Sequence, residues 1–230
     1  MIEHGGVSVS WLGHATLRLE GEDTVVYVDP GRHGVLDGHD GGDGDVVCVT
    51  HGHHYDPAGI RTVAGSEATV VAFEGVNAHL IDRRVERFSE LPYPVRTVDA
   101  EADIAVGGAI LWTTAAYNDP EGPRVRENGE PYHPKGRGCG FRIALGGTVV
   151  YVPGDTDVLA GHERVSADVF CPPIGGAVTM DRHEAAELAA ALDPEVVVPI
   201  HYDTFGAIEA DADAFASELT ERGIDVRVDG

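Results

Sequence analysis

Lysine is nearly absent from this 230-residue chain: Lys135 stands alone, and arginine supplies the rest of the 16 basic residues. Cysteine is scarce too. Cys48, Cys139 and Cys171 are scattered, odd in number and free of any Cys-x-x-Cys pair. That excludes a disulfide framework and reads as small buried apolar side chains. No apolar run reaches the roughly 18 residues of a membrane-spanning helix, and Met1 to Trp11 lacks the basic-then-apolar pattern of a signal peptide. A soluble, cytoplasmic chain with no membrane partner is the expectation. Positive charge is short overall, with 39 Asp and Glu against 16 Lys and Arg and a formal net charge of -23. Such a surface repels phosphate backbones, so no nucleic-acid partner is expected. Dense acid with almost no lysine suits a salt-rich cytoplasm, where screening relieves self-repulsion, and points to a halophilic host.

What is present is ordinary for a globular fold: 43% hydrophobic and 24% charged residues. The length can bury a sizeable core, and with no linker in sight one domain over residues 1–230 is expected. Alternation and β-branched runs mark strands at Val7–Trp11, Ala15–Glu20, Thr24–Val28, Val46–Val49, Thr69–Phe73, Arg96–Val98, Ile104–Val106 and Ala109–Thr114. More follow at Cys139–Leu145, Thr148–Val152, Val169–Cys171, Val196–Pro199 and Ile224–Val228. Helices are expected over Pro57–Ala64, over Asp181–Leu192 with Thr179 or Asp181 as cap, and over Ala210–Arg222 before Gly223. Tyr117–Gly138 is a polar loop rich in Gly and Pro, long enough to be functional or disordered. Strands in both halves with helices after them describe an α/β domain with two sheets between helices.

The chain holds 12 histidines, unevenly spread. The densest group is Thr50-His51-Gly52-His53-His54-Tyr55-Asp56, directly after a strand. Imidazole and carboxylate are donors that zinc and iron prefer, and Gly52 lets two imidazoles turn toward one ion. His133 lies in the long loop, Asp155 just past the strand Thr148–Val152, and His201 just past Val196–Pro199. If the sheets bring these ends to one rim, they supply five ligands plus one or two from His54 and Asp56. That is enough for two ions bridged by a carboxylate and a hydroxide. His14, after Gly13, is a candidate neighbour of the site. Asp29 is either an acceptor for an imidazole N–H or a turn residue before Pro30. Lys135 and Arg137 are either an anion-binding pair or an exposed basic loop. Tyr117 and Asn118 read as turn residues. His4, His33, His39, His79, His162 and His183 read as surface or structural.

Thr50-His51-Gly52-His53, Gly154-Asp155-Thr156 and Pro199-Ile200-His201-Tyr202 together resemble the metallo-β-lactamase superfamily. Trp11-Leu12-Gly13-His14-Ala15-Thr16 and Val28-Asp29-Pro30 resemble the branch with the ascorbate-6-phosphate lactonases and the N-acyl phosphatidylethanolamine phospholipases. The resemblance spans nearly the whole chain. It implies a four-layer αββα sandwich with the site on one rim, and it makes His133 the third histidine of the first-metal set with His51 and His53. Asp155 and His201 then belong to the second set. The family pattern His-x-His-x-Asp-His breaks after His53. Without gaps, Tyr55 and Asp56 take the last two places. An insertion makes Asp56 the aspartate, and a deletion makes His54 the last histidine. All three alignments stay open here.

The resemblance implies a metal-dependent hydrolase that uses a metal-bound hydroxide on a small ester, lactone or phosphodiester. Its cofactor is one or two divalent ions, zinc first and manganese or iron next. Asp155 would bridge, and Asp56, if not a ligand, would orient the attacking water. The alternative is a weak or inactive metal-binding member that serves as a ligand-binding or scaffold protein. A nuclease of the same superfamily is disfavoured by the acidic surface. The partner is a small-molecule substrate, and a homo-oligomer stays open.

Overall fold

The computed structural model describes residues 1–81 and 83–229. The first sheet runs through β1 (Ile2–His4), β2 (Val7–Gly13), β3 (Thr16–Gly21), β4 (Thr24–Val28), β5 (Gly44–Val49), β6 (Ala64–Phe73) and β7 (Val95–Val98), in that spatial order. The second runs through β8 (Asp103–Val106), β9 (Ala109–Ala115), β10 (Cys139–Leu145), β11 (Thr148–Val152), β12 (Val169–Phe170), β13 (Val196–Val197) and β14 (Asp225–Val226). Each sheet begins as an antiparallel meander and ends in parallel pairs: β4 to β7 in the first, β11 to β14 in the second. The helices are α1 (Pro57–Val63), α2 (Arg182–Leu192) and α3 (Ala212–Glu221). The four-layer αββα arrangement expected from the sequence is this sandwich of two mixed sheets with few helices.

Side-chain alternation sorts the layers. In β11 and β12, Val150, Val152 and Val169 point into the core between the sheets, while Tyr151 and Phe170 point outward into a second cluster. The outer cluster is closed by Ala185, Leu188 and Ala189 of α2 and by Phe215 and Leu219 of α3. On the other side Ile60 and Val63 of α1 join the main core. Cys48, Cys139 and Cys171 are buried and unpaired within that core. Among the described residues, no helix is long and apolar enough to cross a membrane.

Most strand boundaries lie within one or two residues of those expected, and Thr24–Val28, Cys139–Leu145 and Thr148–Val152 coincide with them. β1 was not anticipated, because three residues carry too little alternation to read. Of the two candidate caps on α2, Asp181 does the work. Its carboxylate accepts from the backbone N–H of His183 and Glu184, both at 2.9 Å, and Glu184 returns a bond to the Asp181 N–H at 2.8 Å. Asp181→Ala is expected to cost about 1 kcal/mol of stability, read as a lower urea midpoint with an unchanged slope.

Candidate metal centre

The parallel strands aim their C-terminal ends at one rim. β5 delivers Thr50 and the His51–His54 loop, β11 delivers Asp155, and the chain past β13 delivers His201. The two sheets are tied together there. Cys139 N–H donates to the Thr50 carbonyl at 3.1 Å, and His51 forms an isolated bridge with Gly138. Gly138 must lack a side chain, since a Cβ would lie 2.9 Å from the His51 Cβ. Gly154, at φ 72°, turns the chain out of β11 with only 2.7 Å between a notional Cβ and the Cys139 carbonyl oxygen. Asp29, His14 and His201 take left-handed backbone conformations at φ 46°, 49° and 58°. Non-glycine residues rarely accept this, and such strain gathers at functional sites.

Four imidazoles surround one carboxylate oxygen. From Asp155 Oδ2 the distances are 3.3 Å to His133 Nε2, 3.4 Å to His201 Nε2, 3.6 Å to His51 Nε2 and 3.7 Å to His54 Nε2. These are long for hydrogen bonds. Ligands about 2.0–2.1 Å from a tetrahedral zinc lie about 3.3–3.4 Å from one another, which is close to the separations seen. His53 Nδ1 lies 3.2 Å from His133 Nε2 on the outer side. One donor nitrogen from each of His51, His53 and His133 falls within 4.8 Å of the others, and the same holds for His14, His54 and His201.

The tautomers follow from the outer partners. Asp29 accepts from the Thr50 N–H at 2.8 Å and from the Thr50 hydroxyl. The Thr50 oxygen, having donated its proton, accepts from His51 Nδ1 at 3.0 Å. Asp29 also accepts from His54 Nδ1 at 2.8 Å. His133 Nδ1 donates toward Asn118 Oδ1 and the Val178 carbonyl, each at 3.1 Å. In all three rings Nε2 is left as a lone pair facing Asp155, and the Nε2 of His51 is buried with no hydrogen-bond partner among the described residues. Carboxylate or carbonyl behind, lone pair in front is how ligating histidines are held.

Electrostatics run the same way. Burial and the neighbouring His54 press His51 well below the ordinary histidine range. Burial brings His133 down to about 4 and, with His54 and His201, His14 down to about 2. Burial opposes charge on Asp155, yet His201, His54 and His51 hold its carboxyl well below the usual carboxylate range. For His54 burial is outweighed by Asp155 and Asp29, which raise it. The result is a buried carboxylate ringed by imidazoles.

The structure therefore gathers His51, His53, His54, His133, Asp155 and His201. It does not gather Asp56, and the expectation that Asp56 is a ligand or orients the attacking water is corrected. Its carboxylate caps α1, accepting from Ala58 N–H at 3.0 Å and Gly59 N–H at 3.3 Å through Oδ1 and from Arg32 N–H at 3.0 Å through Oδ2. The turn reading of Asn118 is also too small. Asn118 is fully buried, receives the His133 N–H at 2.8 Å, and donates to Asp157 and the Val178 carbonyl at 3.0 Å. Arg124, unnoticed in the sequence, pins the same loop through Asp157, Glu184 and the Gly176 carbonyl. A polar residue near the mouth of a long loop was the only signal for either. His33 lies edge-on to His14 at 4.6 Å between ring centroids rather than standing apart. Lys135 sits over the Tyr117 ring at 5.4 Å, while Arg137 joins Arg126, Leu80, Ile81 and Tyr132 in the wall of a cavity of about 310 Å³. His51, His53, His133 and Asp155 line the same cavity.

Residues 8–201 match the family model described as a beta-lactamase superfamily domain. A UPF0173 metal-dependent hydrolase of Methanopyrus kandleri is 31% identical, over 96% of this chain and 94% of that protein. One from Methanosphaerula palustris is 32% identical over the same shares. Among solved structures, a metallo hydrolase from the hyperthermophilic archaeon Ignicoccus hospitalis superposes with a TM-score of 0.70 at 23% identity, covering 96% of this chain and 94% of that one. That last likeness speaks for the fold.

Asp29→Ala removes the acceptor behind both His54 and Thr50. It is expected to weaken metal binding about 10–100-fold in competition with a chelator, with the cluster residues themselves untouched. Unaltered affinity would show that Asp29 does not orient the rim.

Proposed function

This chain is a metal-dependent hydrolase of the metallo-β-lactamase superfamily, and on that premise we propose that it hydrolyses a small ester, lactone or phosphodiester at the rim cluster. The reading is carried by one observation: inward-facing imidazole nitrogens of His51, His54, His133 and His201 lie 3.3–3.7 Å from a single buried carboxylate oxygen. Groups so placed, with an orphaned buried nitrogen among them, fit divalent ions. His51, His53 and His133 would hold one ion, His54 and His201 would hold a second, and Asp155 would be shared between them. The donor set suits zinc first, with iron or manganese as alternatives.

A bound divalent ion supplies Lewis acidity and lowers the pKa of water toward neutrality. The chain's own residues set where that chemistry happens. Thr50, Asp29 and Asn118 fix the imidazole tautomers. Leu80 and Ile81 give the cavity one apolar side, and Arg126 and Arg137 place positive charge beside it. Arg126 lies over the Tyr132 ring at 5.4 Å and donates to the Tyr132 carbonyl, and neither it nor Arg137 forms an ion pair among the described residues, so either can meet an anionic group. The segments Trp11–Thr16 and Val28–Pro30, which resemble the lactonase and phospholipase branch, support the ester, lactone or phosphodiester choice.

His51→Ala and His133→Ala are each expected to lower metal content. Turnover of p-nitrophenyl acetate or bis(p-nitrophenyl) phosphate should fall by more than about 100-fold, beyond the 10–100-fold typical of an outer partner. Equal turnover of both probes by wild type and both variants would overturn the proposal.

A further inference from the structure

We infer that His14 is a direct ligand of the second ion, completing with His54, His201 and Asp155 a site of three imidazoles and one shared carboxylate. This rests on the proposed function and deepens it. With His54, His201 and Asp155 alone the second ion has only three donors, and the nearest spare carboxylate on the sequence, Asp56, is committed to the start of α1. His14 stands where a fourth donor is needed. Its ring centroid is 4.3 Å from that of His201 and 5.1 Å from that of His54. Donor nitrogens of the three lie within 4.8 Å of one another.

Two features set His14 apart from a histidine that merely packs there. It is 5% exposed, and its Nδ1 is buried without a hydrogen-bond partner among the described residues, as is Nδ1 of His201. A buried polar nitrogen left unpaired is costly, and a ligand to that nitrogen would relieve the cost. The backbone is also built to hold it. The His14 carbonyl accepts from Trp11 Nε1 at 2.7 Å and from the His201 N–H at 2.8 Å, so the two rings are fixed to each other across the sheets. These bonds use the carbonyl only, and the ring, packed against His33 and Phe205, has no hydrogen bond to its Nδ1 among the described residues. A site with three neutral imidazoles and one shared carboxylate takes borderline ions such as zinc, cobalt and ferrous iron in preference to magnesium or calcium, which seek oxygen.

The test is a Co²⁺ titration of the metal-free full-length protein, followed by d–d absorption and by equilibrium dialysis. Wild type is expected to take up two ions per chain. His14→Ala is expected to keep one at wild-type affinity and to bind the other at least about 10-fold more weakly, with the matching absorption lost. Added imidazole should restore it. His14→Gln, which keeps a planar polar side chain, carries the same expectation should His14→Ala fail to fold by circular dichroism. Two ions at unchanged affinity and spectrum in either folded variant would overturn the assignment of His14 alone. One ion in wild type and variant alike would overturn it as well. No ion in wild type would overturn the proposed function and this assignment with it.

Discussion

Asp155 is the constraint around which the rim is organised. It is a carboxylate inside an apolar sandwich, 7% exposed and closely ringed by imidazoles. An unpaired buried charge costs several kcal/mol, so a fold that keeps one there must give it a partner. The surrounding histidines answer that need only in part. They offer lone pairs, whose natural complement is a cation placed among them. The strained backbone at Asp29, His14 and His201 and the close approach of Gly154 to Cys139 are tolerated because two sheets and their apolar core hold the chain in place.

The architecture explains how residues so distant in sequence meet. Parallel strands end together, and the loops after β5, β11 and β13 therefore open on one side. Each loop contributes a donor at its first or second bend. The long segment from Tyr117 to Gly138 crosses the same side and is fastened by the buried Arg124 and Asn118. The loop expected to be functional or disordered is thus an ordered part of the site. Its two cavity arginines, Arg126 and Arg137, place positive charge beside the cluster in a chain whose net charge is -23.

Much of this was legible in the residues. β-branched runs fixed the strands, since alternate Val and Tyr in Thr148–Val152 serve two different packed layers. Candidate donors could be read there too: His51, Asp155 and His201 fall shortly after strands, while His133 stood out only by its place in the long loop. What was hidden depended on side-chain direction. Asp56 and His54 are two residues apart, and only the backbone decides that one caps a helix while the other faces Asp155. The role of Asn118 is set by a contact to His133, fifteen residues away, which no local pattern announces. His14 could be named as a neighbour from Gly13-His14, but its alignment with His201 arises from a bond between the two sheets.

The side chains around Asp155 are proposed to hold a metal ion. Anomalous diffraction at the zinc edge, from crystals grown with zinc, tests it most directly. The account predicts a strong peak enclosed by His51, His53, His133 and Asp155. Density confined to surface carboxylates, with nothing at the rim, would contradict it.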